Sequence, residues 1–292
     1  MHKLIQQFLK YLKAERRRSV KTVKNYEFYL SRFLEFSKIN SPDQINIELI
    51  RQYRIWLKRR TNQFGRPLKK STQNYHLIAL RSFLKYFSTK GKKILPAKKI
   101  ELSVLPKRQI KFLDKDDMEK LLESPLKTNE AKIIQARDKA ILELLFSSGL
   151  RVSEIVNLKK EQIDLKKDKF TIKGTAGKIR TIFLSNQTKY WLKQYIEIRI
   201  DKSFFLFVRA DRAKGRQEPK NLTPRSIQRL IKKYSKTAEI KKTVTPHTMR
   251  HSFVIGLIKN GVNIHSIQNM LGHSSITTTQ TYTDISDQQL KE

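Results

Sequence analysis

Between Thr89 and Arg108 the chain reads TKGKKILPAKKIELSVLPKR, with two prolines, a glycine and seven basic residues in twenty positions. Proline lacks the amide donor and restricts the residue before it, so neither a helix nor a central strand runs through such a stretch. A chain of 292 residues broken there is expected to form two domains. The boundaries fall at 1–90 for the first domain, 91–110 for a basic linker and 111–292 for the second domain. The linker's charge is expected to lead it along a phosphate backbone.

The first ninety residues carry helical periodicity. Leu4, Phe8, Tyr11 and Leu12 recur at three- and four-residue steps, as do Tyr26, Tyr29, Leu30, Phe33 and Leu34, then Leu77, Leu80, Leu84 and Phe87. Ser19, Ser41 and Ser71 stand where helices would start. The pattern predicts a bundle of four helices. On its last helix Asn74, Arg81 and Lys85 share a polar side, either a DNA-reading face or an ordinary solvated one.

Past the linker, FLDKDDMEKLLES offers Asp114 or Asp116 as an N-cap with acids in the first turn. ARDKAILELLFSSGL follows as a helix closed by Gly149, and KFTIKGTAGKIRTIFLS reads as two strands joined by a glycine-containing turn. From about Thr188 the remainder reads as helical. The fold class is therefore mostly α with a small β-sheet.

Charge narrows the partner. Lys and Arg number 62 against 26 acids, for a net charge of +36. Up to residue 110 there are 27 basic and 6 acidic residues, and beyond it 35 and 20, so both parts are basic. Such a field attracts a polyanion by releasing its counterions. Double-stranded DNA is the expected partner. The absence of cysteine excludes disulfides, zinc–thiolate sites and thiol catalysis. No apolar run approaches the roughly 20 residues of a membrane span, and no signal-peptide block opens the chain, so a cytoplasmic, nucleoid-associated protein without membrane contact is expected.

Chemistry concentrates in VTPHTMRHSFVIGLIKNGVNIHSIQNMLGHSS. Thr245-Pro246 is a strong helix start, Asn260-Gly261 a stop, and Gly272 ends a second helix. At about 100° per residue Arg250 falls within the apolar stripe of Phe253, Val254, Leu257 and Ile258, with His247 on its edge. An inward guanidinium is costly unless it meets an anion, either a structural carboxylate or a bound phosphate. His247, His251 and His273 are half of the chain's six histidines and supply further donors. A second arginine, Arg151, sits in SSGLRVSEIVNL between Gly149 and the expected N-cap Ser153, with Glu154 as its orienting partner.

The ordered set GLRVSE, PHTMRH, LGHSS and a tyrosine nine residues beyond that last histidine resembles the tyrosine recombinase family of phage-type integrases and Xer recombinases. The resemblance covers nearly the whole chain. It implies a helical, SAM-like core-binding domain before an α/β catalytic domain. By resemblance Arg151 and Arg250 clamp the scissile phosphate, His247 and His273 assist, and Tyr282 is the nucleophile. A homo- or hetero-tetramer on two recombination sites is likewise implied, as is strand exchange without metal or other cofactor.

These residue types suit that reaction. A tyrosine stays attached to the cut strand as a phosphotyrosine ester, which conserves the bond energy for rejoining. Two fixed guanidinia can stabilise the charge that metals stabilise elsewhere. A phenol ordinarily titrates near 10, so Tyr282 needs a base, and His247 is the expected one. Threonine occupies five of the seven positions Thr277 to Thr283, and threonine is a poor helix former, so the arm bearing Tyr282 is expected to move.

Two departures from the family pattern stand out. The family carries a catalytic lysine on the hairpin, usually within Gly-Lys-Gly-x-Lys-x-Arg. IKGTAGKIRTIFL places Thr175 there when registered without gaps. Lys173 is the preferred substitute, with Lys178 as the alternative. Lys178 and Arg180 also suit phosphate contact. Only ten residues follow Tyr282, fewer than the exchanged helix of many members. A type IB topoisomerase-like nicking-closing enzyme, or a catalytically impaired DNA-binding member of the fold, are the competing readings. Chromosome partition, integration and inversion are left open by the residues themselves.

Overall fold

The computed structural model describes residues 1–106, 110–174, 177, 179–209, 220–272 and 282. Its chain separates into two compact units, Met1–Arg108 and Gln109–Glu292.

The first unit holds α1 (His2–Ala14), α2 (Val20–Ser37), α3 (Ile47–Arg59) and α4 (Lys70–Ser88). α1, α2 and α4 bury most of the stripes that their periodicity marks out, with Leu4, Tyr11, Tyr26 and Tyr29 half-buried. Phe8, Phe33, Tyr53, Leu57, Leu80, Phe83, Leu84 and Phe87 form the centre, and α4 packs against the other three helices. Burying one such side chain is worth about 1.5–3 kcal/mol, and edge-on rings add specificity. Phe8 meets Phe83 with centroids 5.6 Å apart at 88°, and Phe33 meets Tyr53 at 5.0 Å and 80°. Ser19 caps α2 by accepting the Thr22 amide, and Ser41 forms a capping box at a short 3-10 turn. Ser71 does not cap: α4 begins one residue earlier, after Lys69, and Ser71 lies in its first turn.

Part of the lysine-rich stretch joins the first unit's core. Ile100 is fully buried in the bundle's core, and Ile94, Leu95 and Leu102 pack against it. Asn74 fixes the next stretch. Its Nδ2 donates to the Ser103 carbonyl at 2.8 Å, and its Oδ1 accepts the Ser103 amide at 3.0 Å. Asn74 is therefore buried and engaged with backbone, which corrects its assignment to a DNA-reading face. Arg81 is half-buried and Lys85 exposed on the same helix.

The second unit is built around α6 (Lys132–Ser148), whose Ala140, Ile141, Leu142, Leu144 and Leu145 are fully buried. α5 (Lys115–Glu123) precedes it, capped by Asp114 through the Asp117 amide. After α7 (Val152–Ile155) come the antiparallel strands β1 (Lys169–Lys173) and β2 (Ile179–Phe183), in register from Lys169 opposite Phe183 to Lys173 opposite Ile179. Phe170, Ile172, Arg180 and Ile182 point inward. Then follow α8 (Asn186–Ile198), α9 (Pro224–Thr237), α10 (Pro246–Lys259) and α11 (Ile264–Leu271). The principal partners of α6 are α8 and α10. No described helix is long and apolar enough to cross a membrane.

α10 is buried on several sides, where it meets α6, α9 and α11. Thr245 caps it and Pro246 opens it. Ser252 ties it to the start of the unit, accepting the Leu113 amide at 2.8 Å. That bond helps seat Ile110 and Phe112 beside Val254, Ile255, Ile267, Leu271 and Tyr282 in a small separate core.

Candidate active site

The site grows from two helix ends. Gly149 stops α6 at φ +58°, and Gly272 stops α11 at φ +62°, both left-handed. Helix C-termini present carbonyls without intrahelical partners and carry partial negative charge. Arg250, only 4% exposed, fills both ends: Nη1 donates to the Gly149 carbonyl and Nη2 to the Leu271 carbonyl at 2.9 Å. This answers how an inward guanidinium is tolerated at that position. Burial, with the charge of Arg151 added, pushes it down to about 10, against opposing pulls from Glu154 and Tyr282. It is still a cation at neutral pH.

Arg151 converges on the same carbonyl, its Nη1 lying 3.4 Å from the Leu271 oxygen. Its position is fixed by Glu154. The Arg151 amide donates to Glu154 Oε2 at 2.8 Å, and Nη1 donates to Oε1 at 3.2 Å. Arg151, not Ser153, is the N-cap of α7, since the Glu154 carboxylate reaches back to cap the turn.

Arg180 completes the support. It donates Nη1 to Glu154 Oε1 at 2.9 Å and Nη2 to Oε2 at 2.6 Å. Its side chain also packs on Gly272, where an added Cβ would stand 3.2 Å from Arg180 Cδ and Nη1. Arg180 is thus buried between two parts of the site, which corrects its assignment to phosphate contact. Burial pushes the Glu154 carboxyl up, but the Arg180 hydrogen bonds, the Arg151 amide and both arginine charges outweigh it. The carboxyl stays below its ordinary range.

Tyr282 is 4% exposed, and its hydroxyl lies 2.6 Å from His251 Nδ1. His251 is the histidine in contact, where the motif led to His247. The two rings stack with centroids 6.3 Å apart and 30° between planes, as expected of neighbours one helical turn apart. His247 itself is exposed. Lys173, at the end of β1, is exposed and lines a cleft with Ser153, Glu154 and Asn157. His273, Thr175 and Lys178 lie outside the described residues.

The structure thus brings Arg151, Arg250 and Tyr282 together at the ends of α6 and α11. Sequence reasoning missed the support given by Arg180 and the contact made by His251. The spacing of His247 and His251, one turn apart on one helix, was the available signal for the latter.

Comparison with known proteins places the chain in a family. Residues 111–289 match the model of the phage integrase family, and residues 5–91 match that of the phage integrase N-terminal SAM-like domain. The chain belongs to the phage integrase family. Within it, tyrosine recombinase XerC of Thermodesulfovibrio yellowstonii is 34% identical over 286 residues, spanning 96% of this chain and 91% of that protein. Tyrosine recombinase XerD of Listeria innocua is 32% identical over 299 residues, spanning 100% and 97%. Among solved structures, the XerH site-specific recombinase bound to palindromic difH substrate in a post-cleavage complex shares the fold. Its TM-score is 0.73 at 22% identity over 98% of this chain and 83% of that one.

Proposed function

We propose that the chain is an Xer-like site-specific DNA recombinase that cuts and rejoins strands through a 3′-phosphotyrosine link at Tyr282. The observation that carries this reading is the convergence of Arg151 and Arg250 on the Leu271 carbonyl beside Tyr282. Two guanidinia aimed at one oxygen can clamp the non-bridging oxygens of a phosphate and stabilise the phosphorane formed on attack. Neither metal nor cofactor is called for, since the arginines supply the fixed positive charge.

In this reading Tyr282 attacks the scissile phosphorus, His247 and His273 donate to phosphate oxygens, and Lys173 protonates the departing 5′ oxygen. Lys178 is the alternative donor. Arg81 and Lys85 contact phosphates through the first unit. The reaction runs on duplex DNA in a homo- or hetero-tetramer that pairs two sites, in the cytoplasm at the nucleoid.

The test is a library of nicked duplexes with a randomised core, incubated with the protein in EDTA. Nicking lets the short downstream strand diffuse away and traps the covalent intermediate. The proposal expects protein-linked DNA with a shared core sequence, absent with Tyr282→Phe. No linked DNA from the wild-type protein, or linkage that requires Mg²⁺, would count against it.

A further inference from the structure

We infer that His251, rather than His247, is the group that takes the proton from Tyr282. The inference rests on the proposed function, because it names the base for that same attack. The hydroxyl and His251 Nδ1 stand 2.6 Å apart, the separation of a short hydrogen bond. A general base has to be within that reach of the proton it removes.

His251 is held in place from several sides. It lies on α10 next to Arg250, whose guanidinium is fixed by two carbonyls, and its ring faces Tyr282 at 5.3 Å between centroids. The phenol's apolar body sits among Val254, Ile255, Ile267 and Leu271, with Ile110 and Phe112 alongside. This seat turns the hydroxyl toward the His251 ring. The Tyr282 hydroxyl also lies within electrostatic reach of Arg250. Arg250 and His251 are successive residues of α10, and Tyr282 lies beside both.

The step balances as follows. The step requires the neutral tautomer of His251 with its proton on Nε2, in which Nδ1 accepts from the phenol. As Tyr282 Oη bonds to phosphorus, its proton passes to Nδ1. The phosphorus–O5′ bond breaks, and its electron pair leaves with the 5′ oxygen, which a separate acid protonates. On rejoining, the 5′ hydroxyl gives its proton back to that acid as it bonds to phosphorus, the phosphorus–Oη bond breaks, and His251 returns its proton to the departing phenolate. His251 ends each cycle as it began.

The test uses the full chain and the duplex recovered most often from the nicked library. His251→Asn places an acceptor oxygen near the Nδ1 position but removes its basicity. Its rate of adduct formation is expected to fall by about 10²–10⁴-fold, the range of general base catalysis, with DNA binding unchanged. In His251→Ala, added imidazole is expected to restore adduct formation in a concentration-dependent way. An undiminished or faster rate in His251→Asn overturns the inference. So does a slow His251→Asn combined with a His251→Ala that imidazole leaves unmoved, which would make His251 a seat for the phenol and nothing more. Absence of adduct from the wild-type protein would instead remove the functional reading on which the inference stands.

Discussion

Arg180 meets Glu154 side by side, with Nη1 to Oε1 at 2.9 Å and Nη2 to Oε2 at 2.6 Å, both side chains less than 10% exposed. The same carboxylate receives the amide and guanidinium of Arg151. One buried anion therefore ties the hairpin to Arg151. Removing Arg180 leaves the buried carboxylate to Arg151 alone, a loss smaller than the ~3–5 kcal/mol of a fully broken buried pair. Arg180→Ala should unfold at a lower urea concentration. It should also slow adduct formation, since Arg151 loses the support that fixes its fork. Stability and single-turnover cleavage, measured on the same preparation, check both parts.

The depressed Glu154 carboxyl gives stability a pH dependence of known sign. A carboxyl whose folded value lies below its unfolded value contributes stability above the unfolded value, about 4.3. That contribution is lost as pH falls through the folded value. Wild-type protein should therefore lose stability faster than Glu154→Gln below about pH 4.3, the gap between them closing with acid. Urea midpoints for the two proteins across an acid series test this. Parallel curves would show that the carboxylate contributes nothing through its charge.

Gly149 has two reasons to be glycine. Its φ of +58° disfavours any Cβ by about 1–2 kcal/mol, and an added Cβ would stand 2.5 Å from Phe253 Cδ1. Gly149→Ala should destabilise the second unit and displace the carbonyl that accepts from Arg250. Combining it with Phe253→Ala should recover part of the loss, the part due to collision. Denaturation of the single and double variants separates the collision from the backbone strain.

Asn74 is expected to act on stability rather than on sequence choice. Asn74→Ala leaves the Ser103 amide and carbonyl without their partner, at about 1–3 kcal/mol. Proteolysis near Ser103 should accelerate, while the core sequence recovered from the nicked library stays the same. A changed recovered sequence would restore Asn74 to a base-reading role.

Lys173 can be separated from Lys178 by the leaving group. A 5′-bridging sulfur needs no proton to depart, so a variant lacking only the general acid should cleave a 5′-thio duplex at the wild-type rate. Lys173→Ala should cut the ordinary duplex about 10²–10⁴-fold more slowly and the sulfur duplex normally. An ordinary rate on both substrates would pass the role to Lys178 or elsewhere.

Much of this molecule was legible in its residues, and the rest was hidden for definite reasons. Periodicity marked the bundle because Phe8, Phe33 and Leu84 answer to a helical repeat regardless of their neighbours. Gly149, Thr245-Pro246 and Gly272 marked helix ends because backbone geometry demands those residue types. Pairing across distance was not legible. Nothing local tells that Arg180 will turn inward to Glu154, or that Asn74 will close on Ser103 twenty-nine positions away. Composition misled at the linker, where lysines concealed that Ile100 belongs to the core. At the site, motif order marked His247, while only the folded helix brought His251 to the phenol.

The most direct test of the account is mass spectrometry of the trapped protein–DNA adduct after nuclease and protease digestion. The account predicts a nucleotide joined through its 3′ phosphate to Tyr282, formed in EDTA and absent from Tyr282→Phe. A nucleotide on any other residue, or an adduct that survives Tyr282→Phe, would contradict it.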